Sequence, residues 1–109
     1  MRKATINFTI NLDENNLPES IEWKASDSQD GGKSKAIMLT MWDENEHNTM
    51  RIDLWTKTMP IDEMKRFFHQ NLVTMSDTFT RATGEEKMSG DMRDFAAYFA
   101  EKMGLVDPK

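Results

Sequence analysis

Between Thr5 and Leu12 the chain alternates without a break, Ile6, Phe8, Ile10 and Leu12 against Thr5, Asn7, Thr9 and Asn11. A period of two predicts a strand with one wet face. The run Asp13-Glu-Asn-Asn-Leu-Pro18 supplies turn formers, and Ile21, Trp23 and Ala25 resume the period, completing a first hairpin. A polar, glycine-containing stretch, residues 26–34, reads as the loop that leads to a second hairpin.

The second hairpin carries its own register. Pairing Trp42 with Thr49 across the loop 43–48 sets Met41 opposite Met50, Leu39 opposite Ile52 and Ile37 opposite Leu54. All three pairs are apolar and share one face, as burial requires. A slip of one residue would turn Arg51 and Asp53 inward, so this register is the expected one. The other face then carries Met38, Thr40, Trp42, Arg51, Asp53 and Trp55.

At Pro60 the period changes to that of a helix. Ile61, Met64, Phe68, Leu72, Met75, Phe79 and Ala82 follow at intervals of 3, 4, 4, 3, 4 and 3. That spacing draws one apolar stripe along six turns. Pro60 suits the first helical position, Asp62 and Glu63 put negative charge in the first turn, and Gly84 is the expected stop. Asp62 with Arg66 and Asp77 with Arg81 are placed to pair at i,i+4. A second helix carries Met88, Met92, Phe95, Phe99 and Met103, with Gly104 ending it and Leu105 folding back. Thr83-Gly-Glu-Glu86 has the form of a capping box for this helix. The prediction is a single α+β domain over residues 1–109. Its four-stranded antiparallel sheet, made of two hairpins, is followed by two C-terminal helices packed on one face, in the order β-β-β-β-α-α.

Composition narrows the function. At 109 residues the chain can bury roughly 65% of its unfolded surface, enough for one core. It has no cysteine, which excludes disulfides, thiolate catalysis and zinc–cysteine sites. Net charge is −5, with six basic and ten acidic side chains before Lys57 and eight against nine from there on. No basic stripe marks a nucleic-acid partner, and no apolar run approaches the ~20 residues of a spanning helix. Met1-Arg2-Lys3 begins like a leader, but the alternation that follows is not a leader's apolar core. The expectation is a soluble, cytoplasmic protein without direct membrane insertion.

Candidate chemistry is thin. Gly32-Lys33-Ser34 resembles the end of a phosphate loop, yet Asp27 stands where its first glycine belongs. Asp43, Asn45 and His47 have the spacing of calcium ligands, but Asn48 and Leu54 occupy the positions of the essential glycine and glutamate. Residues 43–46 therefore read as a solvated acidic turn. His69, beside Phe68, reads as a helix-edge histidine; a general-base or ligand role is the alternative, and no nucleophile accompanies it. No catalytic residue, metal or cofactor is expected, and the protein is not expected to be an enzyme.

What remains is a surface. Trp42, Trp55 and Met38, with Arg51 and Asp53, lie on the nominally exposed face of the second hairpin, which invites a protein partner. Alternatively, Trp55 covers Ala36 and Trp42 covers the hairpin end, or the rings stack on a ligand. Phe67, next to the first helix's stripe, is a further candidate for contact between copies. Eight of the nine methionines after the first are expected to pack inward; Met38 is the one placed outside.

The segments Asp13-Glu-Asn-Asn-Leu-Pro18, Lys35-Ala-Ile-Met-Leu39, Arg51-Ile-Asp-Leu-Trp-Thr-Lys57, Asp62-Glu-Met-Lys-Arg-Phe-Phe-His-Gln70 and Asp91-Met-Arg-Asp-Phe95 closely resemble the gliding motility-associated GldC family, in the same order and nearly from end to end. The resemblance implies a small cytoplasmic accessory of the gliding machinery, not its motor. It brings no catalytic motif, so no residue role transfers, and the loop 26–34 is where members are expected to vary most. The function expected is non-enzymatic: contact with, or stabilisation of, other proteins of the gliding or linked export machinery, with a homo-oligomer as a further possibility. The competing expectation is a small-molecule module or an unrecognised enzyme, with a pocket between sheet and helices near His69.

Overall fold

Asp13 organises the first turn of the chain by accepting, through one carboxylate oxygen, the backbone N–H groups of Asn15 and Leu17 at 2.8 and 3.0 Å. Asn16 takes the left-handed conformation the turn needs (φ 62°). The turn joins β1 (Ile6–Leu12) to β2 (Pro18–Ala25), which pair antiparallel with Ile10 opposite Ile21. These features come from a computed structural model that describes residues 2–27 and 29–105. Met1, Ser28 of the expected loop, and residues 106–109 of the expected 1–109 domain lie outside the described residues.

The expected loop contains a strand. β3 (Gly31–Ser34) pairs antiparallel with β2, Gly32 opposite Trp23. Close approach requires glycine at position 31: a Cβ on Gly31 would stand 2.9 Å from the Trp23 carbonyl oxygen. One on Gly32 would touch the Trp23 indole at 3.4 Å, an ordinary contact. With β3 on its far edge, the centre of β2 is covered on both sides, and Ile21 becomes the buried residue of this sheet.

The single four-stranded sheet is therefore replaced by two sheets, of three and two strands. β4 (Ala36–Trp42) and β5 (Thr49–Trp55) form the second, in the predicted register: Met41 with Met50, Leu39 with Ile52, Ile37 with Leu54. The loop between them is a solvated turn, Asp43 accepting the N–H groups of Asn45 and Glu46.

The change of period at Pro60 is also a boundary, since the chain divides into two compact units, Met1–Met59 and Pro60–Lys109. In the second, α1 (Ile61–Thr83) runs from Pro60, which is the N-cap and not the first helical residue. It stops at Gly84, whose positive φ (73°) lets its N–H reach the Thr80 carbonyl at 2.8 Å. α2 (Glu86–Lys102) follows at once. Its N-cap is Glu85, with no side-chain cap; Thr83 Oγ1 accepts from the Glu85 N–H instead, so the capping box does not form.

The helices are antiparallel, since Thr80 meets Ser89 and His69 stacks on Phe99. Their seam is built from small residues: Ser76, Ser89, Ala96 and Ala100 are all buried. Thr80 Oγ1 lies 2.5 Å from Ser89 Oγ and 3.0 Å from the Ser76 carbonyl oxygen, while the two serine hydroxyls donate to the Val73 and Glu85 carbonyls. Asp77 pairs with Arg93 across the seam at 3.6 Å, not with Arg81, whose guanidinium donates to Thr78.

The apolar stripes do not form this seam. Each stripe lies one residue N-terminal of its seam row, ~100° around the helix. In an antiparallel pair these rotations run in opposite senses, so both stripes emerge on one side. There Leu72, Met88, Met92 and Phe95 border a shallow groove of about 300 Å³. The expected inward packing of the methionines is corrected with it: Met41, Met50, Met75, Met88 and Met103 are all exposed. On the helices, small residues take the closest contact; between β4 and β5, a two-stranded ribbon buries little by itself.

Candidate protein interaction surface

Strand parity places Met38, Thr40 and Trp42 of β4 on one face with Arg51, Asp53 and Trp55 of β5. Across the ladder Met38 stands opposite Asp53, Thr40 opposite Arg51, Trp42 opposite Thr49 and Trp55 opposite Ala36. The two indoles thus sit at diagonal corners, about 20 Å apart along the strands at ~3.4 Å per residue. Both are open to solvent, Trp42 at 66% and Trp55 at 56% of full exposure, while Met38 is half-buried. Phe67, the sixth candidate, belongs to the helical unit, where it is half-buried and its carbonyl accepts from the Asn71 side chain.

Between the indoles lies an ion pair. Arg51 donates through Nε and a terminal nitrogen to both oxygens of Asp53, at 3.1 and 3.0 Å. This two-point contact, and the attraction behind it, raise the Arg51 pKa above its ordinary value. The face therefore presents two aromatic anchors around a locally neutral polar centre, a composition common where proteins meet.

At the Trp55 end the face adjoins a cleft of about 330 Å³, lined by Leu17, Pro18, Asp53, Leu54, Trp55 and Lys57. A clamp fixes its walls. The Lys57 N–H donates to the Pro18 carbonyl, its ammonium reaches Asp13 at 2.9 Å, and the neighbouring Thr56, buried, donates its N–H to the Lys35 carbonyl. The bond from Lys57 and those from the Leu17 and Asn15 amides hold the Asp13 carboxyl down to about 2, from 3.8. Reciprocally, the hydrogen bond to Asp13 raises the Lys57 pKa. Sequence reasoning missed this clamp, because its partners lie 44 residues apart and no periodicity joins them.

His69 contributes no comparable constellation. Its ring stacks on Phe99 within the helical pair, with centroids 6.5 Å apart and planes 10° from parallel. Among the described residues no group of three or more His, Cys, Asp or Glu side chains is placed to hold a metal ion, and no helix is long and apolar enough to cross a membrane.

Compared with known proteins, residues 18–105 match the family described as gliding motility-associated protein GldC-like. No curated protein and no solved structure matches the chain.

Proposed function

The chain belongs to the GldC-like family of gliding motility-associated proteins, and from that premise we propose that it is a non-enzymatic, cytoplasmic accessory of the gliding machinery or its linked export apparatus. It works by holding other proteins, and the outer face of β4 and β5 is its contact surface. The observation that carries this reading is the pair of solvent-open indoles, Trp42 and Trp55, around the Arg51–Asp53 pair on one ordered hairpin. Large aromatic side chains left in water at fixed positions are the groups whose burial contributes most to a protein contact.

The test is genetic. Replacing the native protein in a gliding bacterium by the Trp42→Ser/Trp55→Ser variant should abolish or sharply reduce gliding while the protein still accumulates to its normal level. Gliding at the normal rate with the variant in place would overturn the assignment of this face.

A further inference from the structure

Two hairpin edges are open in the β4–β5 sheet, and one of them is self-complementary. Among the described residues β5 is paired on one side alone, with β4. The main-chain bonds from Asp43 to Asn48 and from Thr56 to Lys35 fix which β5 residues face β4. By the antiparallel alternation, Met50, Ile52 and Leu54 direct their N–H and C=O groups to β4, and Thr49, Arg51, Asp53 and Trp55 direct theirs outward. Residues 49–53 are all exposed. Beyond Trp55 the edge is closed by the Lys57–Pro18 bond, so the open length is the strand itself.

We propose that this edge pairs with the same edge of a second copy, antiparallel about a two-fold axis at Ile52. The outward groups allow only registers that join odd-numbered residues as hydrogen-bonded pairs. In the register centred on Ile52, Arg51 stands opposite the partner's Asp53 and Asp53 opposite the partner's Arg51. On the other face Met50 meets the partner's Leu54, and Ile52 meets its own copy. Moving the register by one step either way sets Arg51 against Arg51 or Asp53 against Asp53, which like charges disfavour. One register is therefore selected by charge, and it joins the two ribbons into a four-stranded sheet.

The strand has no proline, no lysine and no bulge, and its two charges, Arg51 and Asp53, are of opposite sign, so they select a register where like charges would keep the edge solitary. By contrast β1 is bulged between Asn11 and Leu12, and β3 is short and carries Lys33. The outer edge of β4 lacks any charge to choose a register, and its first four residues are half-buried. A second copy on β5 is the occupant that fits. The inference stands on the β4–β5 register and not on the proposed role in gliding.

Light scattering across low to high micromolar concentration tests it on the full chain, together with oxidation of an Ile52→Cys variant. The chain has no cysteine of its own, and the Ile52 pair would bring the two Cα atoms to ~4.5 Å, within the span of a disulfide. The expected mass at high concentration is twice the 12.7 kDa of one chain, with Ile52→Cys cross-linking to completion. Arg51→Asp should weaken the dimer roughly tenfold or more by setting carboxylates against each other, and Arg51→Asp/Asp53→Arg should restore it. A monomer at every concentration would overturn the proposal. So would a dimer that Arg51→Asp leaves unchanged and Ile52→Cys does not cross-link, because its interface would lie elsewhere.

Discussion

The β4–β5 strand hairpin and the α1–α2 helical hairpin are held together in opposite ways. β4 and β5 cohere through main-chain bonds, so their side chains are left for other uses on both faces. α1 and α2 cohere through side chains, in a seam whose fully buried residues are the small Ser76, Ser89, Ala96 and Ala100. The difference teaches where each element tolerates change. The helical pair is vulnerable at its smallest residues, and the strand pair is indifferent at its largest ones.

The strongest way to break the comparison is to enlarge the seam. Ala96→Leu should destabilise the protein by about 1–3 kcal/mol or more, because a buried methyl position has no room for three further carbons. Urea denaturation would measure it, and a change within experimental error would mean that the helices do not depend on close contact. Replacing Ser89 by Ala should cost less, about 1 kcal/mol, through loss of the bonds to Thr80 and the Glu85 carbonyl.

Acid tests the clamp that sets the Trp55 cleft. The Asp13 carboxyl is depressed to about 2 in the folded protein, against 3.8 for the free group. Its contribution is therefore fully present above about pH 4 and is lost as pH falls toward 2. An Asp13→Asn variant should be less stable than the parent at pH 6, and the gap should shrink steadily below pH 4 and be largely gone once pH has fallen through about 2. Lys57 works in the other direction: its pKa is raised, so its contribution holds below 10.5 and fades only at higher pH. The smallest effect is expected on the open face, where Trp42→Ser should change stability by no more than about 0.5 kcal/mol.

How far the sequence reveals this molecule depends on whether a structural cause leaves a periodic trace. The β4–β5 register is legible because parity must satisfy an apolar face and a charged face together, and one alignment does so. The stop of α1 is legible because Gly84 is suited to a left-handed cap. β3 is not legible: Gly31 is needed for its close approach to the Trp23 carbonyl, and a glycine required by closeness looks like a glycine required by a turn. The seam is hidden for a related reason, since serine and alanine draw no hydrophobic contrast beside a row of phenylalanine and methionine. The candidate face was legible residue by residue through parity. Its cleft, which needs Leu17 and Pro18 beside Trp55, depends on the long-range clamp of Asp13 and Lys57.

The open face and the closed seam can be set against each other in one protein. The Trp42→Ser/Trp55→Ser variant, used as bait beside the parent in extracts of gliding cells, should keep the parent's unfolding midpoint and lose the gliding-machinery proteins that the parent captures. A variant that captures the same proteins as the parent, or that unfolds with a midpoint well below it, would contradict the assignment of these two rings to a contact surface.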